Sequence, residues 1–430
     1  MITRLFTRHP EVPINYSREI ISGLINFMAI AYIIAVNPLI LNAKGAGFPF
    51  APAITSTVMI IIVMTLFASF FIKLPFVLAP GMGINAIIAY NMVLHDKMNI
   101  PTILAVIFFS SLLLFIFSVT KVRHLIIQAI PEFLQIALSA GIGFFLFLIG
   151  LKNVGIVISN PNTVISIGTF NLPIVLACGG FILATVLFIR RKVYAFLLPI
   201  LLITLLYCFI YPATLPKAYF QLPDFSLFGQ IDFAAVLKLS IWPAILSLFI
   251  VNFFDATSTT MGLLSQMHFD TQVDRGTYLK RALVTDSLGG VVASFFGISP
   301  SVIFVESSAA IQNGGRTGLS AFVTALICIP FLFLAPIIAI IPSCATSPIL
   351  MVVGLIMLSN ISRVKVRNFE DVVAVALTIV MMPLCSTITA GAIFGIVSYT
   401  LLKLCLGKFN ELSPTIILIA IACCGWFWIN

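Results

Sequence analysis

Long apolar runs, separated by short polar stretches, occupy most of this chain. An α-helix needs about 20 mostly apolar residues to cross a bilayer. Runs of this length begin near Ile20, Ala51, Pro101, Glu132, Asn171, Val193, Leu239, Tyr278, Gly318, Cys344, Asp371 and Ala390, and shorter, interrupted runs begin near Leu74 and Gly297. The pattern predicts an all-α, polytopic membrane protein with about fourteen transmembrane segments. The last apolar stretch, Pro414 to Ile429, fits either a further span or a segment that lies in the membrane interface.

The composition excludes a soluble globular protein, because 61% of the 430 residues are hydrophobic, 9% are charged and the mean hydropathy is +1.18. The net charge of +9 does not indicate a nucleic-acid partner. With a cytoplasmic N-terminus, most basic residues fall at cytoplasmic segment ends. Those at the opposite ends are Lys44, Lys97, Lys152, Lys217 and Lys238. The distribution supports the segment count and predicts a cytoplasmic N-terminus. The stretch before Ile20 is short, polar and basic, and the apolar run after it lacks a small-residue cleavage site, so we expect no removable signal peptide. We expect a multi-pass protein of the cell (inner) membrane.

The cysteines and histidines give no sign of a metal or redox centre. All eight cysteines lie in or beside apolar runs without C-x-x-C spacing, so we interpret them as small buried hydrophobic residues. The four histidines are scattered singly near the predicted segment ends. We therefore expect no metal and no cofactor. The chain also shows no nucleophile–base pair that would indicate an enzyme.

Two interrupted elements occupy matching positions in the two halves of the chain. The first runs from Leu74 to Ala86 and the second from Phe296 to Ser307. Their prolines, Pro80 and Pro300, are 220 positions apart, about the offset between the first predicted segments of the two halves. Because each half holds an odd number of segments, seven, the duplication predicts an inverted repeat about an axis in the membrane plane.

Each interrupted element is predicted to be a short extended strand followed by a half-helix. The residues that break the helices and shape the backbone are Pro80, Gly81, Gly83, Gly297 and Pro300. Non-helical backbone at membrane depth is tolerated where protein buries it or where it lines a cavity. We expect the N-terminal N–H groups of both half-helices to face a shared space, with Asn85 and Glu306 in their first turns. A packing kink is the structural alternative for each break.

Asp255 and Glu306 are acidic residues inside otherwise apolar segments. A charged side chain near the bilayer centre costs roughly 2.5 to 3.5 kcal/mol, so such residues usually face a cavity and bind or relay something. The alternative for Asp255 is a cytoplasmic segment end, although apolar residues continue the run beyond it. Asp286 is a third candidate, for which structural pairing is the preferred interpretation.

Four segments resemble those of a known family. They are residues 29–38 (Ala-Ile-Ala-Tyr-Ile-Ile-Ala-Val-Asn-Pro), 79–86 (Ala-Pro-Gly-Met-Gly-Ile-Asn-Ala), 253–259 (Phe-Phe-Asp-Ala-Thr-Ser-Thr) and 306–319, which contains Glu-Ser-Ser-Ala and Gly-Gly-Arg-Thr-Gly-Leu. On these motifs the chain, from about Glu19 to about Lys408, resembles the azaguanine-type permeases for adenine, guanine and hypoxanthine. These belong to the nucleobase–cation symporter family 2.

The resemblance implies a fold like that of the bacterial uracil transporter. That fold has fourteen segments in two inverted repeats of seven, with short strands in the broken third and tenth segments. A core domain and a gate domain are each assembled from both repeats. The implied divisions are a first repeat at 1–213 (core segments in 20–123, gate segments in 132–213), an extracytoplasmic linker at 214–236, a second repeat at 237–408 (core segments in 239–341, gate segments in 344–408) and a hydrophobic tail at 409–430. Family members are typically proton symporters and often homodimers.

The resemblance also implies the roles of single residues. The implied substrate-binding residues are Asp255, Glu306, Asn85, Thr259 and Ser307, and those implied in proton coupling are Asp255, Glu306 and Thr259. A purine suits this set, since its N–H groups donate to carboxylates and its ring acceptors take donors such as an amide. The chain departs from the family pattern at Ala29, Asn252, Ala256 and Ser258. These departures leave the preferred base open.

The resulting prediction is a secondary active transporter that imports a purine base (adenine, guanine or hypoxanthine) by proton symport with alternating access. Its partners would be the base, the proton, the lipid bilayer and a second copy of the chain, with no nucleic acid. The alternatives are a transporter of another nucleobase, xanthine or uracil, and a carrier of a small anion on the same architecture. Two acids argue against an anion site, and paired broken helices argue against a passive channel.

Overall fold

Helices make up most of the structure, a computed structural model that describes residues 5–7, 14–42, 47–120, 131–160, 164–211, 218–267, 272–364, 366, 368–385, 388–414, 416–417 and 420. In chain order the helices are α1 (Tyr16–Ile30), α2 (Tyr32–Asn42), α3 (Phe50–Phe71), α4 (Met82–Ala86), α5 (Ile100–Val119), α6 (Glu132–Val154), α7 (Leu172–Ile189), α8 (Leu197–Ile210), α9 (Trp242–Ser265), α10 (Gln272–Phe296), α11 (Ser307–Gln312), α12 (Gly318–Cys328), α13 (Ala335–Ile338), α14 (Ser343–Leu358), α15 (Phe369–Leu384) and α16 (Ile388–Cys405). The strands are β1 (Leu78–Pro80), β2 (Val157–Asn160), β3 (Val164–Ile167) and β4 (Ser301–Ile303). A π-helical stretch, Ile87–His95, continues α4.

Seven helical stretches in the described part of the chain are long and apolar enough to cross a membrane. They are Tyr16–Asn42, Phe50–Phe71, Ile100–Val119, Phe133–Val154, Leu172–Ile189, Leu239–Leu264 and Ser343–Ser362. They confirm the prediction of a multi-pass, helical membrane protein. Shorter apolar helices, such as Leu197–Ile210, lie between them. Since their lengths do not settle how many segments cross, the count of fourteen and the inverted repeat stay predictions.

The two interrupted elements meet through their extended pieces. β1 and β4 pair in antiparallel fashion, with Ala79 opposite Val302 and Pro80 opposite Ser301. β1 leads directly into α4, and β4 leads through a turn into α11. The prediction of a short strand followed by a short helix is therefore confirmed for both elements.

A second antiparallel pair, β2 with β3, corrects the sequence prediction, which contains two strands only. Val157 lies opposite Ile167, and Ile158 lies opposite Ser166. Both strands are rich in β-branched residues, which pack well on a pleated surface, and turn-forming Pro161 stands between them in the sequence. Four-residue alternations of this kind are weak signals in a chain dominated by long apolar runs.

The chain divides into a larger unit, residues 1–115 and 153–349, and a smaller unit, residues 116–152 and 350–430. In the larger unit, α12 packs against α1 and α3. Small residues permit this approach, because a Cβ atom at Gly318 would lie 2.0 Å from the carbonyl oxygen of Ser69. Glycine lets membrane helices come this close and gain dispersion contacts along their length. The division into a core domain and a gate domain, which the resemblance implies, stays a prediction.

In the smaller unit, α15 packs against α16. Gly395 permits this contact, because a Cβ atom there would lie 1.9 Å from the hydroxyl oxygen of Thr378. Ala137, Ala140, Val375 and Ile379 form a buried apolar cluster in the same unit. Small side chains therefore set the spacing of helices here as well.

A buried cation lies at one end of the α15–α16 pair. The Lys403 ammonium forms ion pairs of 3.2 Å with Glu370, 3.1 Å with Asp371 and 2.6 Å with Glu411, and the Lys403 side chain is 1% exposed. Lys408 forms a further ion pair with Glu370. Charge distribution along the chain predicts Lys403 only as a cation at a segment end, whereas the fold makes it the centre of an ion-pair network.

Some sequence-based expectations lie outside the described residues. They concern most of the tail at Pro414 to Ile429, Cys423 and Cys424, and His9, His124 and His268. The other cysteines are all free thiols: Cys178, Cys208, Cys328, Cys344, Cys385 and Cys405.

Candidate functional site

The paired strands β1 and β4 form the frame of the candidate site. Beyond the strand pairing itself, Gly81 N–H donates to the Pro300 carbonyl at 3.0 Å and Phe304 N–H donates to the Val77 carbonyl at 3.0 Å. The Ser307 hydroxyl then accepts a hydrogen bond of 3.1 Å from Val77 N–H. These bonds satisfy backbone groups that would otherwise be costly to bury. They also hold the starts of α4 and α11 beside each other.

Two neighbouring helices brace this frame. From α3, the Thr65 hydroxyl bonds both the N–H and the carbonyl of Leu78, each at 3.2 Å. From α10, a carboxylate oxygen of Asp286 accepts a hydrogen bond of 2.8 Å from Ile303 N–H. A Cβ atom at Gly289 would lie 2.3 Å from the Ser301 hydroxyl oxygen, so α10 touches β4 directly. Asp286 therefore has the structural pairing that the sequence analysis preferred for it.

Asn85, in α4, is the buried amide of the site. Its side chain is 0% exposed, and neither its amide nitrogen nor its carbonyl oxygen has a hydrogen-bond partner in the protein. Leaving a buried polar group unpaired costs about 1–3 kcal/mol. α4 contacts α9, the helix that carries Asp255. An amide whose donor and acceptor are both unpaired within the protein therefore lies on a helix that contacts the helix of Asp255.

Glu306 lies at the N-cap position of α11. One of its carboxylate oxygens accepts a hydrogen bond of 2.7 Å from the hydroxyl of Tyr32, which lies at the start of α2 and is 1% exposed. The Tyr32 ring packs edge-on against Phe196, with ring centroids 5.3 Å apart. Tyr32 thus orients the Glu306 carboxylate from a third element of the chain.

The N-terminal N–H groups of α11 differ from the sequence prediction, which makes them open donors. Ser307, Ser308 and Ala309 donate their N–H groups to the carbonyls of Phe304, Val305 and Glu306, at 3.1, 3.0 and 2.9 Å. The expectation that this half-helix offers its first amides to a ligand is therefore wrong. The tight turn that begins the helix already uses them.

Asp255 and Thr259 lie one turn apart on α9, so they share a face of that helix. Both are partly buried. Asp255 is close enough to Glu306 for their charges to interact. The nearby Asn252 is 2% exposed, and its carbonyl oxygen has no hydrogen-bond partner in the protein. The α9 face therefore adds several polar groups beside Glu306.

The remaining predicted site residues belong to the frame. Gly81 is the N-cap residue of α4, and the Gly83 carbonyl accepts a hydrogen bond from the Ile87 N–H, where the helix continues. Gly297 has φ +75° and lies against Leu227, where a Cβ atom would approach to 2.4 Å, so both the backbone angle and the space favour glycine there. Ser307 is fully buried, and its hydroxyl oxygen is engaged with the backbone.

Two residues of this region carry contacts that the sequence analysis did not assign. Tyr32 is a polar residue within the apolar run Ala-Ile-Ala-Tyr-Ile-Ile, part of the 29–38 motif, but neither feature predicts its bond to Glu306. Glu19 is 3% exposed and binds the segment that follows α11. An acid in the first turn of a helix is common, so its burial could not be foreseen. Among the described residues, no group of three His, Cys, Asp or Glu side chains is placed to hold a metal ion.

Comparison with known proteins connects this arrangement to transporters. The adenine permease AdeP of Escherichia coli (strain K12) is 32% identical over 407 residues, which are 94% of this chain and 91% of AdeP. The guanine/hypoxanthine permease PbuO of Bacillus subtilis (strain 168) is 31% identical over 426 residues, 96% of this chain and 97% of PbuO. Both relatives therefore match nearly end to end.

The fold is shared more widely than the sequence. The transmembrane domain of the cyanobacterium bicarbonate transporter BicA matches with a TM-score of 0.64 at 16% identity, over 89% of this chain and 97% of that domain. The sequence model described as the Permease family matches residues 17–394. The chain therefore belongs to the Permease family and is a multi-pass membrane transporter rather than an enzyme.

Proposed function

We propose that this protein is a secondary active transporter that imports a purine base by proton symport. Two relatives that match nearly the whole chain are named for adenine and for guanine/hypoxanthine, which supports a purine as the substrate class. A neutral, planar heteroaromatic ligand also fits a site that combines acids, an amide and aromatic rings.

The observation that carries the proposal is the Asn85 amide. It is fully buried, and neither of its polar atoms has a partner in the protein. A purine edge offers a donor beside an acceptor, which an amide can pair with two hydrogen bonds. A ligand of this kind would remove the cost of burying the Asn85 side chain unpaired.

The acids complete the proposed binding mode. Glu306, oriented by Tyr32, and Asp255 accept hydrogen bonds from N–H groups of the base. Thr259, one turn from Asp255, adds a hydroxyl on the same helix face. Ser307 acts mainly through the frame, because its hydroxyl oxygen is engaged with Val77.

Proton coupling is assigned to Asp255 and Glu306, with Thr259 beside them. Two carboxylates whose charges repel each other are suited to proton coupling, because protonation of either one relieves the repulsion. One proton that moves down a potential of 100 mV supplies about 2.3 kcal/mol, which is roughly a fiftyfold accumulation of a neutral solute. Such a gradient is sufficient for uptake of a scarce base.

The proposed architecture has fourteen segments in two inverted repeats, residues 1–213 and 237–408, joined by an extracytoplasmic linker at 214–236. Core segments in 20–123 and 239–341 carry the site, and gate segments in 132–213 and 344–408 move relative to them in alternating access. The N-terminus is cytoplasmic, the membrane is the cell (inner) membrane, and the transporter is a homodimer. The antiparallel pairing of β1 with β4, one from each proposed repeat, supports this arrangement.

The substrate is tested by competition in proteoliposomes. Unlabelled adenine, guanine, hypoxanthine, xanthine and uracil compete with uptake of radiolabelled adenine and, in parallel, radiolabelled hypoxanthine. We expect the purines adenine, guanine or hypoxanthine to compete most strongly. Dominant competition by xanthine or uracil would change the base, and uptake of bicarbonate or sulfate without nucleobase uptake would replace the proposal with an anion carrier.

The mechanism is tested with Asp255→Asn and Glu306→Gln under an imposed pH gradient. Each substitution keeps the side-chain size but removes the titrating group. We expect loss of gradient-driven accumulation in both variants, whereas Asp232→Asn, in the linker, retains it. Accumulation by both site variants at the wild-type level would exclude these acids as proton carriers.

A further inference from the structure

Glu19 forms a buried clasp between α1 and the segment that joins α11 to α12. One carboxylate oxygen accepts N–H hydrogen bonds from Arg316 at 2.8 Å and from Thr317 at 3.1 Å. The other oxygen accepts the hydroxyl of Ser320. Glu19 is 3% exposed, so its hydrogen bonds form away from water and are costly to remove.

The clasp reaches the C-terminal end of α11 through Arg316. While the backbone of Arg316 binds Glu19, its guanidinium donates to the carbonyl of Ile311 at 3.1 Å, in the last turn of α11. A cation at this end of a helix satisfies carbonyls that have no partner within the helix. Glu19 therefore holds the C-terminal end of α11, the short helix whose N-cap residue is Glu306.

The same pair of helices also contacts the near end of α11. Tyr32, 13 positions after Glu19, donates its hydroxyl to Glu306. At a rise of about 1.5 Å per residue, these two contacts are about 20 Å apart along α1 and α2. Tyr32 of α2 thus contacts Glu306 at the N-cap of α11, and Glu19 of α1 acts on the last turn of α11 through Arg316, while α1 also packs against α11 itself.

We propose that Glu19 is a positioning residue that sets the place of Glu306 in the substrate site. The inference rests on the proposed function, because a shift of Glu306 is detected as a change in the KM of the proposed purine substrate. α11 has only six residues, too few for a stable helix alone, so its position depends on its packing against α1 and on the Arg316 contact at its last turn. If the clasp opens, α11 shifts and carries the Glu306 carboxylate with it. A displacement of about 1 Å can cost roughly a hundredfold in a well-oriented site.

The variants Glu19→Ala and Glu19→Gln test this role. Alanine takes the acceptor from the N–H groups of Arg316 and Thr317 and from the Ser320 hydroxyl, whereas glutamine keeps one acceptor oxygen for the two N–H groups. For uptake of radiolabelled adenine, with guanine and hypoxanthine in parallel, we expect KM to rise roughly ten- to hundredfold in Glu19→Ala. In Glu19→Gln we expect KM within about threefold of the wild-type value.

Thr324→Val is the matched control for loss of packing in the same place. The Thr324 hydroxyl donates to the Gly23 carbonyl across the α1–α12 contact and to the carbonyl of Ser320, each at 2.9 Å, and neither bond involves the Glu19 carboxylate. We expect it to lower the unfolding temperature while leaving KM unchanged. Ser320→Ala removes one bond of the clasp and serves if Glu19→Ala does not fold, with an expected rise of KM of roughly threefold.

The outcomes separate the two proposals. If the wild-type protein transports none of the three purines, the proposed function fails. If the wild-type protein transports a purine but Glu19→Ala and Ser320→Ala reduce only the unfolding temperature or the yield, with KM unchanged, the positioning role is overturned. A KM in Glu19→Gln as high as in Glu19→Ala would also overturn it, because the acceptor geometry would then not be the cause.

Discussion

Tyr32 and Glu306, 274 positions apart in the sequence, are joined by a hydrogen bond of 2.7 Å from the tyrosine hydroxyl to a carboxylate oxygen. Tyr32 begins α2, and Glu306 is the N-cap residue of α11. The N-terminus of α11 follows β4, which pairs with β1. The Glu306 carboxylate, which we propose binds the substrate, is therefore pre-oriented by a residue from the first segment of the chain. Pre-orientation of this kind limits the entropy that a ligand loses on binding.

Tyr32→Phe removes this hydrogen bond while it keeps the aromatic ring. We expect purine affinity to fall roughly five- to tenfold, because a hydrogen bond to a charged group contributes about 1.5–3 kcal/mol and part of this orients Glu306. Binding of radiolabelled purine to purified protein measures the change. Tyr90→Phe is the control, since its hydroxyl bonds Asn153 at 2.9 Å outside the proposed site. Equal affinity in both variants and the wild type would contradict the role of Tyr32.

Asp286→Ala takes the acceptor from Ile303 N–H and leaves that group buried and unpaired. We expect the free energy of unfolding to fall by about 1–3 kcal/mol, together with weaker purine binding, because β4 loses its brace. Asp286→Asn keeps an acceptor oxygen in the same place and is expected to lose much less. Thermal unfolding in detergent compares the two. An equal loss of unfolding free energy in Asp286→Ala and Asp286→Asn would show that the charge of Asp286, rather than its hydrogen bond to Ile303, stabilises the fold.

Gly289→Ala would place a methyl group 2.3 Å from the Ser301 hydroxyl oxygen and 3.0 Å from the Ser301 carbonyl oxygen. Since β4 must move away from α10, we expect purine affinity to fall by roughly a hundredfold. Gly179→Ala is the matched control, because its Cβ atom would meet nothing within 4 Å. That change is expected to be neutral or to stabilise the helix by about 0.5–1 kcal/mol. Uptake at the wild-type KM in Gly289→Ala would contradict the close contact of α10 with β4.

The ion pair between Lys408 and Glu370 predicts an acid-dependent stability. Glu370 precedes the apolar part of α15, and the hydrogen bond from Lys408, then its own backbone N–H and the Lys403 ammonium, hold the pKa of Glu370 at about 2. A depressed pKa stabilises the fold above the unfolded pKa of about 4.3, and this contribution is lost as the pH falls toward the folded value.

Lys408→Ala should therefore lower the unfolding temperature at pH 7, and the gap from the wild-type protein should close as the pH falls from about 4 to 2. Thermal unfolding across this range measures the gap. Lys238→Ala removes an exposed lysine and serves as the control, with no narrowing expected. A Lys408→Ala gap that stays constant with pH would contradict the ion pair.

Several parts of the fold and the site could be predicted because their signals are local. The broken elements are visible as proline and glycine in apolar runs, and they are present as β1 with α4 and β4 with α11. Asp255 and Glu306 stand out because acids are rare in such runs. The sequence does not predict the β2–β3 pair, because each strand has only four residues. It also does not predict that a tight turn uses the first amides of α11.

The amino-acid sequence alone identifies a helical membrane protein, the positions where its helices break and the acids that lie within its apolar segments. These properties follow from the cost of burying charge and unpaired backbone in lipid, which acts on each segment separately. The contacts of Tyr32 with Glu306, of Glu19 with the segment after α11 and of Asp286 with β4 are visible only in the folded protein. Tyr32 and Glu19 reach partners more than 270 positions away. Packing of the folded chain, rather than any local pattern, brings such groups within hydrogen-bond distance.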